Sequence, residues 1–171
     1  YYLMDTKNEI YYDPESFTNE NYHHTIHHGL ESEAELEVTK AISCSARYKY
    51  TNAAFKSGKY GGYPVPLVPE HTVSGGFRVE PLDRLVVEFD GNYVGSMTIA
   101  YDMRSDSSPL EARTTMDLSA SYTFKCARAF MLVRNLAGAD YYSNATRNFL
   151  GNTAFYPAPG TSVEGGLAVR Y

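Results

Sequence analysis

The sequence has no tryptophan, only two cysteines, no basic run and no long apolar stretch. Each absence removes a class of protein. No segment approaches the roughly 18 uninterrupted apolar residues of a membrane helix, so a helical membrane protein is excluded. No charged-then-apolar leader opens the chain. It starts at Tyr1, and Tyr1 to Ile10 already reads as strand, which predicts a fragment or a processed product. Fifteen basic residues against twenty acidic ones give a formal net charge of −5. No basic stripe could follow a phosphate backbone, so nucleic acid is not an expected partner. Cys44 and Cys126 can form at most one disulfide, so no disulfide framework holds the domain together.

What is present is apolar and aromatic enough to fold: 43% hydrophobic and 14% aromatic, with sixteen Tyr and eight Phe. Tyrosine suits positions where an apolar body needs a wet end, so interfaces are implied. No nucleophile motif, phosphate loop or acid and base pair stands out. Asp102, Asp106, Glu111 and Asp117 are carboxylates of the kind that is solvated or paired with a neighbouring cation, so catalysis is not expected.

Period-2 alternation dominates the chain. Leu30, Ala34, Leu36 and Val38 interleave with Glu31, Glu33, Glu35 and Glu37, giving one apolar face and one face of four carboxylates. Ile42, Cys44, Ala46, Tyr48 and Tyr50 alternate with polar partners in the next run. Similar divisions recur over Val73–Val79, Val87–Tyr93, Met116–Phe124 and Val163–Tyr171. Ala127 to Leu136 and the first strand, near Tyr1 to Tyr12, do not phase. Connection lengths alternate as well. Thr39 to Ala41, Glu80 to Arg84 and Lys125 to Ala127 are tight. Phe55 to Glu70, Gly95 to Glu111 and Tyr142 to Gly160 are long and rich in Gly, Pro, Ser and Asn, with Pro14 to Asn21 a shorter fourth on that side. Short turns at one end and long loops at the other are the mark of an antiparallel barrel in a membrane. A soluble β-sandwich gives no reason for that segregation. The Glu row alone decides nothing, because a wet lumen and a solvated sheet face accept it equally.

These residues resemble the TonB-dependent receptors. Asn21 with Gly29-Leu30-Glu31 is similar to the family's Asn and Gly-Val-Glu strand opening, and Tyr48-Lys49-Tyr50-Thr51-Asn52-Ala53 to its Tyr-Thr-Tyr strand end. Gly62-Tyr63-Pro64-Val65-Pro66-Leu67-Val68-Pro69-Glu70-His71 resembles its proline-rich extracellular loop. Asn135-Leu136 with Tyr141 matches part of an Asn-Leu-Phe-Asp and Tyr signature, Ala137 and Gly138 standing in the Phe and Asp places. Phe155-Tyr156-Pro157-Ala158-Pro159-Gly160 resembles a Tyr-Pro-Ala-Pro-Gly-Arg stretch, with Thr161 in the Arg place.

The resemblance implies an all-β fold: residues 1–171 as about eight strands, the last eight, of a 22-stranded transmembrane barrel whose plug and remaining strands are absent. The turns near Thr39, Asp83 and Cys126 would be periplasmic, and the loops around Ser16, Gly61, Ser107 and Gly151 extracellular. Val163, Leu167, Val169 and Tyr171 look like the C-terminal signal read by the barrel-assembly machinery, and equally like a plain lipid-facing strand. The implied function is a share in active, TonB-coupled uptake of a scarce nutrient across the outer membrane. A ferric siderophore leads as cargo, with cobalamin, haem or a glycan behind it. Expected partners are outer-membrane lipid, the energy-coupling complex and a small-molecule or metal-chelate cargo; no cofactor is expected. Extracellular position nominates Tyr60, Tyr63, Tyr101, Arg104, Tyr142 and Arg147 as cargo contacts. A passive porin-like barrel and a soluble β-sandwich binding module are the readings from other classes.

Two clusters need separate weighing. His23, His24, His27 and His28 sit where a strand leaves a long loop, but alternation puts His23 and His27 on one face and His24 and His28 on the other. His23 and His27 would lie roughly 13 Å apart, too far to share a metal ion. They are weak metal candidates beside an interfacial His and Tyr girdle. Cys44 and Cys126 would sit three strand spacings apart, roughly 14 Å, and a disulfide needs Cα atoms within about 7 Å. Two free thiols are expected, with Cys44 facing lipid.

Overall fold

The computed structural model describes residues 1–13, 16–148 and 150–169, with the side chains of Asp13, Tyr22 and His23 outside the description. Tyr171 lies outside the described residues, as does the side chain of His23. The described chain is all β. Its strands are β1 (Tyr2–Asp13), β2 (Thr18–Thr39), β3 (Ile42–Ser57), β4 (His71–Leu82), β5 (Leu85–Val94), β6 (Arg113–Thr123), β7 (Ala127–Arg134), β8 (Tyr142–Arg147), β9 (Thr153–Pro157) and β10 (Ser162–Val169). Eight of them form one antiparallel sheet in the order β1-β2-β3-β4-β5-β6-β7-β10, and β8 and β9 pair only with each other. In the main sheet β1 and β10 are the two edges.

Directly paired residues share a face, so the register sorts every side chain. One unbroken rung runs Leu36, Cys44, Phe77, Phe89, Leu118, Val133, Val163 across seven strands. The rung beside it, on the opposite face, runs Glu37, Ser43, Arg78, Glu88, Ser119, Leu132, Glu164. A sheet that needs lipid on one side and water on the other is written in those two rows. On the polar face, cations sit opposite carboxylates: Lys49 on Glu31 at 2.7 Å, Arg47 on Glu33, and Arg78 on Glu88 at 2.6 Å and Glu80 at 2.8 Å. All are partly exposed, and each contributes about 0–1 kcal/mol.

Aromatic residues bound the apolar face. Tyr48, Tyr50 and His71 stack at the long-loop end, with ring centroids 6.1 Å and 5.3 Å from His71. Tyr122 and Phe124 meet edge to face at 4.8 Å near the short turns. From Leu85, paired with Tyr122, to Tyr93 is about 27 Å along the strand. At a tilt of about 40° that spans about 20 Å of membrane. Beyond the upper girdle the outward face turns polar: Asp5 takes His24 Nε2 at 2.5 Å and Lys56 Nζ at 3.2 Å. The 22 residues of β2 extend about 75 Å, so this wall rises well clear of the apolar belt.

The two unphased segments have physical explanations. In β1 the apolar Tyr2 and Met4 share the polar face with Gly29 and His27, while Asp5 and Lys7 lie outward. In β7, Phe130 and Leu132 share the face of Gly166 and Glu164. The Phe130 ring lies over Gly166, where an added Cβ would come within 2.6 Å of it. Both strands therefore carry apolar residues on both faces. The Tyr142 to Gly160 connection is corrected from a plain loop: it contains the β8–β9 hairpin. β2 begins at Thr18, so the first connection, whose Pro14 and Glu15 lie outside the described residues, ends before Asn21.

Candidate functional site

The long connections lie at one end of the sheet, and those after β3, β5 and β7 pack together there. The segment between β3 and β4 folds back on its own strand. Ala54 bridges Pro64, and Phe55 N–H donates to the Tyr63 carbonyl at 2.9 Å. Phe55, Tyr60 and Met103 make one small core, with Tyr11 and Val65 against it. A second core joins Ile99, Leu110 and Ala145, with Met97 against it. Residues 95–112 thus reach both neighbouring loops.

Asp102 is one hub of this region and is 1% exposed. Its carboxylate accepts the backbone N–H of Ser107 at 2.8 Å and of Asp106 at 3.1 Å, and the Arg147 guanidinium at 2.8 Å. Burial alone would push this carboxyl up, but the two N–H groups and Arg147 outweigh it and hold it below its ordinary value. Asn135 is the second hub. It is 5% exposed with φ at 49°, in the left-handed region that asparagine tolerates better than most side chains. Its side chain accepts the Ala139 N–H at 2.9 Å and donates to the Ala139 carbonyl at 2.9 Å. Its own N–H goes to Asp117 Oδ1 at 2.9 Å, and its carbonyl accepts the Thr161 hydroxyl at 2.8 Å. One residue therefore joins the end of β7, the loop before β8 and the start of β10.

The six nominated contact residues do not form one patch. Tyr60 is 9% exposed inside the Phe55 and Met103 core, and Arg147 is engaged by Asp102 and, at 3.6 Å, by Asp106. Tyr101 is exposed and edge-on to Tyr12 at 5.9 Å. Tyr142 is half exposed against Phe155 at 4.8 Å. Tyr63 and Arg104 are exposed, and Arg104 has no ion pair among the described residues. His27 lines an open hollow of about 830 Å³ with Tyr2, Met4, Glu31, Lys49 and Thr51, beneath Leu67 and Val68. Among the described residues no three His, Cys, Asp or Glu side chains converge as a metal site. Cys44 and Cys126 are free, Cys44 half-buried on the apolar face and Cys126 exposed in its turn. Val163, Leu167 and Val169 are exposed on the same outer face of β10.

Sequence reasoning singled out Asp102 and Arg147 separately, the latter as a cargo contact, but not their pairing, since nothing local connects residues 45 positions apart. Asn135 entered only as part of a resemblance. Its isolated position before a Gly-containing turn was the available signal for a positive φ.

A family model described as TonB dependent receptor-like, beta-barrel, matches residues 1–136. An iron-regulated outer membrane virulence protein of Vibrio cholerae is 31% identical over 68 residues, covering 40% of this chain and 10% of that protein. The ferric yersiniabactin uptake receptor FyuA of Yersinia pestis has a similar structure: TM-score 0.80, 19% identity, 96% of this chain and 25% of the receptor. The copper transporter OprC gives a TM-score of 0.79 at 15% identity, covering 99% of this chain and 27% of the transporter. The chain thus spans about a quarter of the solved structures it matches, and these relatives are receptors and transporters rather than enzymes. The chain belongs to the TonB-dependent receptor family and forms part of a β-barrel in the Gram-negative outer membrane.

Proposed function

We propose that this chain is the C-terminal wall and part of the extracellular cap of a TonB-coupled importer of a scarce nutrient, with a ferric siderophore as the leading cargo. The observation that carries the reading is the pair of adjacent rungs, one apolar across seven strands and one polar but for Leu132, with ion pairs at Arg78–Glu88 and Glu164, under a packed set of long loops. An open sheet with bare edges at β1 and β10 cannot persist in lipid, where every backbone group needs a partner. Further strands of the same receptor would seal both edges, and a plug coupled to the inner-membrane complex would occupy the lumen. The barrel-assembly machinery would read Val163, Leu167, Val169 and Tyr171. Carriage, not catalysis, is the role.

Among the nominated contacts, Tyr63, Tyr101, Arg104 and Tyr142 have the exposure to touch cargo, whereas Tyr60 and Arg147 serve the cap itself. The fold does not choose the cargo, since a ferric-siderophore receptor and a copper transporter share it. The iron-regulated relative favours iron. The test uses the full-length receptor. Deleting its gene should slow growth under iron limitation, and the purified protein should bind a ferric siderophore in preference to haem, cobalamin or copper. Growth unchanged by deletion, with cobalamin or copper bound instead, would replace the cargo. Conductance through the purified barrel without energy coupling would replace the importer with a passive porin.

A further inference from the structure

The segment 95–112 touches the β3–β4 connection, the β8–β9 hairpin and the end of β1. Tyr101 meets Tyr12 at the β1–β2 end, and Met103 enters the Phe55 and Tyr60 core. The Thr98 carbonyl accepts the Leu67 N–H at 2.9 Å, which ties in the β3–β4 connection a second time. Ala100 donates to the Ala145 carbonyl and accepts the Arg147 N–H, both at 2.9 Å, in a parallel bridge to β8. The crest itself is strained: Tyr101 and Ser105 have φ of 64° and 53°. Non-glycine residues hold that region only where surrounding contacts over-determine it. Asp102 stands between these two positions, buried, with Arg147 reaching it from the hairpin.

We propose that segment 95–112 is the keystone of a single cap over the barrel mouth, and that the Asp102–Arg147 pair is its pin. The loops over the mouth then open and close as one body rather than loop by loop. The geometry requires this coupling. Withdrawing Arg147 strands a buried carboxylate on two N–H bonds, and the crest that loses it also carries Thr98, Tyr101 and Met103. Those three residues hold the end of β1 and the β3–β4 connection. Small changes at one group become large ones because packed interfaces have discrete arrangements.

Hydrogen exchange on the full-length receptor in detergent tests this without any cargo, so the outcome is independent of the importer reading. In D102N, amides of Leu67, Val65, Ala100, Ser107 and Arg147 should all exchange about tenfold faster or more, with similar gains, while β4 and β5 keep their wild-type protection. Faster exchange confined to Asp106 and Ser107, with Leu67 and Val65 unchanged, overturns the single-cap proposal. If D102N does not reach the membrane, R147Q decides by the same comparison, since it leaves both N–H bonds to Asp102 in place. A cysteine pair at the bridged positions, A100C with T146C, in a background lacking Cys44 and Cys126, supplies the opposite perturbation. Oxidation should slow exchange at Leu67, a residue neither cysteine touches, and an unchanged Leu67 rate counts against the keystone.

Discussion

Replacing Asn135 separates hydrogen bonding from backbone conformation in a way few positions allow. Asn135→Ala removes two side-chain hydrogen bonds of 2.9 Å to Ala139 and leaves a β-carbon at φ 49° without the local polar compensation asparagine has. At about 1 kcal/mol for each bond and about 1 kcal/mol for the left-handed backbone, the loss is about 3 kcal/mol. Asn135→Gly loses the same bonds but not the conformational fit, so it should cost about 2 kcal/mol. The affected unit is local: the loop of 135–141 and the start of β10, which the Asn135 carbonyl holds through Thr161. Exchange of the Ala139 amide in the full-length receptor should therefore accelerate about a hundredfold in the alanine variant and about thirtyfold in the glycine variant, at about 1.4 kcal/mol per decade. Alanine no worse than glycine would show that the positive φ costs nothing here. Alanine at the wild-type rate would remove Asn135 from the list of hubs altogether.

Further outcomes follow from the faces of the sheet and the buried carboxylate. Ala46 and Ser45 are adjacent on β3 but on opposite faces; Ala46→Arg should destabilise the folded receptor in lipid by about 2–4 kcal/mol, and Ser45→Arg by less than about 1 kcal/mol, read by denaturant unfolding in vesicles. Cys126 should react with a membrane-impermeant maleimide from the periplasmic side within minutes while Cys44 stays unlabelled, and labelling of Cys44 would misplace the lipid face. Because the Asp102 carboxyl is held below its ordinary 3.8, the stability it contributes is fully present above that pH and lost as pH falls through the lower folded value. Cap protection, corrected for intrinsic exchange, should thus be flat from pH 5 to 8, and a step near neutral pH would assign the pin to another group.

The wall was legible in the sequence because its physics is local. Leu30 to Val38 shows one face for each solvent, and β2 pairs in the register that alternation requires, Leu36 opposite Cys44 and Glu37 opposite Ser43. Alternation fails where a lumen side chain is apolar for reasons of packing: Phe130 covers Gly166, and Tyr2 covers Gly29 while bonding Thr51 at 2.9 Å. It fails again in β8, Tyr142–Arg147, whose Asn144 and Thr146 carry no apolar rhythm, since this hairpin answers to Ala100 and not to lipid. The candidate site was less legible still. Loop membership nominated Tyr60 and Arg147, yet one is core and the other is an ion-pair partner, because position along a loop says nothing about which way a side chain turns.

On the proposed importer reading, selectivity for a cargo would belong in the cap rather than in the wall, for an electrostatic reason. On the lumen face Glu31, Glu33, Glu88 and Glu164 each have a cation from a neighbouring strand, so most of the wall's charge is already answered within the wall. What is left without an ion pair among the described residues is mixed: Glu35, Glu37, Asp90 and Asp117 are acidic, while Arg113 lies against the Tyr141 ring and Arg128 donates to Ser121, so the residual field is not of one sign and does little to sort one chelate from another. The apolar face is fixed by lipid and the same requirement holds for any barrel. At the loop end, Arg104, exposed and without an ion pair among the described residues, and the exposed Tyr101 stand on the segment that carries Asp102. On that reading, a cargo gripped there would act directly on the segment that contacts the β3–β4 connection and the β8–β9 hairpin, so recognition and the proposed movement of the cap would share one stretch of chain.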